Sequence, residues 1–156
     1  MNKEAALTVS IDGETIITSH VRSVIQALLD GGAAAIADLQ GGSKRNAIPR
    51  EAAAVIVVES AAVARVHALL AEWQSALRSD LGSFDPGLRL SAEPTARPER
   101  VMNPADARAV IDTLAAQHHG VIAMTPDVPG LVQTSTNLAI VLTRADEVES
   151  ETSQRS

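Results

Sequence analysis

The chain has 156 residues, a formal net charge of −6 and no cysteine, which fits one domain that buries roughly two-thirds of its unfolded surface. The lack of cysteine excludes disulfides, thiolate nucleophiles and zinc fingers. The thirteen Lys and Arg residues are scattered rather than clustered, so nucleic acid is not an expected partner. We find neither a signal-peptide pattern nor an apolar run long enough for a membrane span, and we expect a cytoplasmic protein without a membrane partner.

Hydrophobic periodicity in the first half of the chain predicts strands and helices that share one core. The elements are expected at residues 5–11 (strand), 21–29 (helix), 33–39 and 52–58 (two strands forming a hairpin with a long connection) and 60–82 (helix). Ser19 and Ser60 are the expected caps of the two helices. Trp73 is expected near the centre of the buried face of the second helix.

The second half continues with further strands and one helix. Strands are expected from residue 88 and at residues 121–124, 138–143 and 148–153, and a helix from Pro104 to Gly120 behind an Asn103 cap. The prolines of residues 92–100 exclude that connector from a sheet interior. This order lacks the strict alternation of a parallel α/β sheet. We therefore expect an α+β fold over residues 1–156, with an antiparallel sheet, helices on one face and a ferredoxin-like core carrying an insertion.

The four histidines do not form a pattern that binds a metal. His20, His67, His118 and His119 lack HxH, HxD and HExxH spacing. His118 and His119 precede Gly120 near the expected end of a helix, where the helix dipole favours such residues. An independent hydrolase based on this pair is therefore the least favoured function. His20 stands at a helix start and could face a ligand, although a polar first-turn residue is the commoner role.

Two polar loops are the other candidates for function. Residues 41–54, GGSKRNAIPREAAA, contain Asn46, whose amide can both donate and accept, before a proline that fixes the backbone. The positively charged side chains of this loop are expected to be solvated, as loop cations usually are. Residues 125–137 hold two prolines and a hydroxyl cluster, which fit either a rigid turn before an edge strand or a site. No nucleophile elbow, Walker loop or nucleotide fingerprint accompanies them, so no catalytic residue is expected.

Three segments carry a resemblance to a known family. GGSKRNAIPREAAA (residues 41–54), MTPDVPGLVQTSTNLAIV (residues 124–141) and SQRS (residues 153–156) resemble the lid, or dimerisation, domain of the aminoacyl-histidine dipeptidases. These enzymes, also called Xaa-His dipeptidase or peptidase D, are metallopeptidases with two zinc ions. The resemblance implies a lid that contributes contacts to dipeptide hydrolysis, while the zinc ligands and general base lie in a catalytic domain that this chain lacks. Alone, the chain is expected to bind no cofactor and to be inactive.

The resemblance also implies roles for three residues. Asn46 and Arg155 would contact the dipeptide, since an arginine fork suits a carboxylate and an amide can fix the free end or a developing oxyanion. His20 in ITSHVRS is the nearest counterpart of a lid histidine, although the flanking glycines of the family are absent. The implied partners are the catalytic domain, the dipeptide and a second copy in a homodimer.

Two alternatives remain at this point. A free-standing α+β interaction or regulatory module that self-associates would use the same sheet edge for a peptide or a second copy. In addition, Arg155 would be a disordered tail residue if the protein ended at Ser156, because chain ends usually fray.

Overall fold

A computed structural model describes residues 4–13, 18–30, 34–81 and 83–156, with the backbone alone for residues 18–22. These residues form β1 (Glu4–Asp12), α1 (Thr18–Asp30), β2 (Ala34–Gly41), β3 (Glu51–Glu59), α2 (Val63–Leu81), β4 (Arg89–Pro94), α3 (Pro104–Ala116), β5 (Gly120–Met124), β6 (Val132–Thr143) and β7 (Val148–Arg155). A single 3₁₀ turn, Ser60–Ala62, leads into α2.

The strands form one antiparallel sheet in the order β4-β1-β3-β2-β6-β5, and β7 pairs with β6. The first six elements run β-α-β-β-α-β with strand order 4-1-3-2, which is the ferredoxin-like arrangement. The expected α+β fold with an antiparallel sheet is confirmed. The additional elements, α3 and β5 to β7, follow this unit in the chain and extend its β2 edge.

One face of the sheet and all three helices share the hydrophobic core. Leu7, Ile36 and Ile56 meet across neighbouring strands and are at most 2% exposed. The helices contribute Val24, Ile25, Leu28, Val66, Leu70, Leu77, Ala107, Ile111 and Leu114. Because side chains in a strand alternate between faces, Ser10, Gln40 and Ala53 lie on the opposite face of the sheet. None of the helices in the described part of the chain is long and apolar enough to cross a membrane.

Two predicted helix caps and the burial of Trp73 differ from the structure. Ser19 lies inside α1 rather than before it. Ser60 opens the 3₁₀ turn, and the cap position before that turn is Glu59, which makes no side-chain capping bond. Trp73 is only partly buried at the rim of the core, while Val66, Leu70 and Leu77 are the buried residues of α2. Trp73 thus lies on the predicted apolar face of α2, but not at the centre of that face.

Helix α3 begins as predicted and ends early. The Asn103 side chain accepts a hydrogen bond of 2.9 Å from the Asp106 amide, and Pro104 takes the first position. The helix ends at Ala116, because Gln117 adopts an extended conformation. His118 and His119 therefore lie outside the helix, and the predicted dipole interaction at its end is wrong.

The last strands are longer than predicted. β6 begins at Val132, so the hydroxyl cluster and Asn137 lie inside a twelve-residue strand rather than in a loop. β4 also extends to Pro94, which is compatible with a proline because β4 is at the sheet edge. Arg155 is the final residue of β7 and pairs with Ser135. It is not the disordered tail residue of the alternative reading.

Candidate functional site

The loop between β2 and β3, residues 42–50, is held against β6 at its base. The Gly42 amide donates a hydrogen bond of 3.1 Å to the Glu51 carbonyl, which closes the neck of the loop. Gly42 has a φ of 68°, and a Cβ placed on it would lie 1.9 Å from the Ala139 carbonyl oxygen of β6. Only glycine combines this backbone conformation with so close an approach between two backbones.

Asn46 is exposed at the tip of this loop, in a turn with a fixed backbone. The Ala47 amide donates to the Lys44 carbonyl at 3.2 Å, which places Asn46 third in a four-residue turn. The Ala47 carbonyl accepts a hydrogen bond of 2.6 Å from the Asn137 side-chain amide. Pro49 is buried where the loop returns to β3. The loop therefore presents the Asn46 side chain to solvent from an anchored backbone.

The same loop contacts β7, the strand that contains Arg155. Arg45 forms an ion pair with Glu151. Glu151, Ser153 and Arg155 alternate along β7 and therefore share one face of the strand. Arg155 is exposed, and it lies on the face that the loop contacts. The structure thus brings Asn46 and Arg155 to the same side of the β6–β7 pair.

His119 supports β6 at a gap between neighbouring strands. One edge of β6 pairs with β7 along residues 135–143. The other edge is shared by two strands: β5 pairs with residues 132–136 and β2 pairs with residues 141–142. Between these two strands the Leu138 amide donates to Nδ1 of His119 at 3.1 Å. Burial, and secondly the charge of His118, lower the pKa of His119. The imidazole is therefore held neutral, with its proton on Nε2, and its role here is structural.

The other three histidines are His20, His67 and His118. The backbone of His20 lies in the first turn of α1, and its side chain is outside the described part of the structure. His67 and His118 are exposed. Within residues 4–13, 18–30, 34–81 and 83–156, no group of three or more His, Cys, Asp or Glu residues could hold a metal ion. The chemistry of a zinc pair therefore does not fit the described side chains.

Sequence reasoning missed Asn137, which holds the loop backbone, and the contact between Gly42 and Ala139. One signal was available for Asn137: it is a polar residue at the start of the apolar run that continues β6.

Beside the neck of the loop lies a shallow cavity of about 300 Å³, bordered by Ser10, Gln40, Gly42, Glu51 and Ala53. The candidate site is thus a polar, partly concave sheet face and not an enclosed pocket.

Comparisons with known proteins agree with this architecture. Residues 11–85 match the family described as peptidase dimerisation domain. The chain is 32% identical over 112 residues to the cytosol non-specific dipeptidase of Escherichia coli (strain K12), covering 72% of this chain and 23% of that protein. The crystal structure of aminoacylhistidine dipeptidase from Vibrio alginolyticus shares the fold, with a TM-score of 0.81 and 24% identity, covering 99% of this chain and 34% of that one.

The chain therefore spans about a quarter of the matched dipeptidase sequence and about a third of the matched structure. The segment that matches the family runs from the end of β1 to the turn before β4. It includes the whole 41–54 loop, and the shared fold extends over β6 and β7 as well. Residues 11–85 of this chain therefore match the peptidase dimerisation domain family, and most of the chain is similar to part of two dipeptidases in sequence or in fold.

Proposed function

We propose that this domain is the lid of a zinc-dependent aminoacyl-histidine dipeptidase and supplies polar substrate contacts to hydrolysis performed in a separate catalytic domain. The observation that carries the proposal is the shared face of Asn46 and Arg155, which follows from the β6–β7 register, the Asn137 hydrogen bond to the loop and the contact of Arg45 with Glu151. Both segments belong to the sequence resemblance, and contacts of their neighbouring residues support a common face although Asn46 and Arg155 are more than 100 residues apart in the chain.

The two side chains have complementary chemistry for a dipeptide. The Arg155 guanidinium is a permanent cation with a planar fork of donors, which suits the substrate carboxylate. Asn46 provides one acceptor and two donors, which can fix the free end of the substrate or an oxyanion that develops at the scissile carbonyl. Both are exposed, so the contacts become strong only when a second protein surface closes over the substrate and excludes water.

Zinc would activate the attacking water in the catalytic domain. The described residues of this chain contribute no ligand set to that centre, and none of them is assigned a step that involves zinc. His20, in the first turn of α1, stays a candidate substrate contact. The remaining partners are a second copy of the domain in a homodimer and the catalytic domain itself. The related dipeptidase is named as a cytosolic protein, and we place this one in the cytoplasm as well.

Hydrolysis of a Xaa-His dipeptide tests the proposal. The purified chain with added zinc is expected to release no histidine, whereas the same domain joined to its metal-binding catalytic domain hydrolyses the dipeptide. Asn46→Ala in the joined enzyme is expected to lower kcat/KM by about tenfold or more. Zinc-dependent hydrolysis by the isolated chain would overturn the proposal. Stoichiometric zinc that is lost on replacing His118 and His119 would instead revive the independent hydrolase.

A further inference from the structure

We infer that Asn137 is a positioning residue, which acts on the substrate only by fixing the backbone that presents Asn46. This inference rests on the proposed function, because it assigns a second residue to the same site. Asn137 lies in β6, 90 residues after Ala47, and its side-chain amide donates to the Ala47 carbonyl at 2.6 Å. That carbonyl is one residue beyond Asn46, at the end of the turn that contains it.

The other contacts of the loop restrain Asn46 less directly. The Arg45 side chain is 76% exposed, so its ion pair with Glu151 is weakened by solvent and salt. The Gly42 contact fixes the base of the loop, four residues before Asn46. Apart from the turn's own hydrogen bond between the Ala47 amide and the Lys44 carbonyl, the hydrogen bond from Asn137 is therefore the contact in the described structure that fixes the backbone beside Asn46.

The surroundings of Asn137 make it a rigid support. On one side it pairs with Ser153 of β7. Its neighbour Leu138 is held through the backbone amide by Nδ1 of His119, and the next residue, Ala139, is fully buried under Gly42. These contacts restrain the strand. The Asn137 side chain is therefore held in place, and its hydrogen bond holds the loop in turn.

The side-chain carbonyl oxygen of Asn137 supports the same conclusion. Its Oδ1 is buried and has no hydrogen-bond partner among the described residues. A buried acceptor without a partner destabilises a fold, and an apolar side chain would avoid that cost. An asparagine at this position is therefore best explained by what its NH₂ group does, which is to hold the Ala47 carbonyl.

Amide hydrogen exchange on the chain itself tests the positioning. Asn137→Asp keeps the shape of the side chain but removes the donor, and Asn137→Ala removes both. Each variant is expected to speed exchange of the Ala47 amide by up to about tenfold, while exchange in the core of β3 stays unchanged. Ser135→Ala is the matched control, because Ser135 is on the same face of β6 and makes no hydrogen bond to the loop in the described residues. Unchanged Ala47 exchange in Asn137→Asp would overturn the inference.

A double-mutant cycle in the joined dipeptidase separates positioning from a direct contact. Asn137→Asp is expected to lower kcat/KM about as much as Asn46→Ala does, and to have no further effect in the Asn46→Ala background. Additive losses would show that Asn137 acts independently of Asn46, and would overturn the inference. If Asn46→Ala alone leaves kcat/KM unchanged, the proposed substrate contact fails, whereas the exchange experiment still decides whether Asn137 positions the loop.

Discussion

Replacing Gly42 with alanine should detach the 42–50 loop from β6. A real Cβ stays at least 3.0 Å from a carbonyl oxygen, but here it would meet the Ala139 oxygen at 1.9 Å, so the loop must move by at least about 1 Å. The φ of 68° adds about 1–2 kcal/mol of backbone strain for a residue with a side chain. Loss of the Asn137 hydrogen bond contributes about 1 kcal/mol more. We expect a total destabilisation of about 2–3 kcal/mol.

Gly130→Ala is the matched control for this prediction. Gly130 has a φ of 83°, but a Cβ added there has no neighbour within 4 Å among the atoms described. It should therefore lose only the strain energy, about 1–2 kcal/mol. Urea unfolding followed by the fluorescence of Trp73, the single tryptophan of the chain, gives both values at constant m. If Gly42→Ala loses no more stability than Gly130→Ala, the close approach of the loop to β6 does not exist in solution.

Three further predictions follow from named contacts. His119→Gln should make stability less dependent on pH: the lowered pKa of His119 favours the neutral ring in the folded state, so the wild type binds fewer protons folded than unfolded and loses stability as the pH falls through and below 6.5. Urea midpoints between pH 5 and 8 check this, and an unchanged pH slope would contradict it. Arg45→Ala, which breaks the pair with Glu151, should cost at most about 1 kcal/mol in low salt and nothing measurable in 1 M NaCl; a loss that persists in high salt would refute it. Asn103→Ala should lower stability by about 1 kcal/mol through loss of the α3 cap, whereas an unaltered urea midpoint would show that this cap is dispensable.

The sequence was sufficient for the α+β class and for most element positions, because apolar spacing of two or about four residues determines which face of each element is buried. The hairpin of β2 and β3 and the start of α3 at Asn103 and Pro104 followed from local signals of this kind. The end of α3 did not, since neither a glycine nor a proline stands at Gln117, where the backbone becomes extended. The predicted β6 strand is too short, because its first half contains the hydroxyl-rich run Thr134 to Asn137, which resembles a loop.

The site could be predicted only in part, for a related reason. Two separate segments made Asn46 and Arg155 candidates, but local patterns contain no information on contacts between residues 90 or more apart. The antiparallel register of β6 and β7, together with the ion pair of Arg45, places them on one face. Asn137 was hidden inside a hydroxyl-rich run, and its importance becomes evident only from the Ala47 carbonyl that it contacts.

The preference of the joined dipeptidase for a free substrate carboxylate is the most direct test of the proposed lid function. We would compare kcat/KM for a Xaa-His dipeptide and for its carboxyl-terminal amide, in the wild type and in Arg155→Ala. The wild type should prefer the free carboxylate by about ten- to a hundredfold, the range of a charge-assisted pair, and Arg155→Ala should lose most of that preference. An equal preference in both proteins would show that Arg155 does not contact the substrate carboxylate, and would contradict the account.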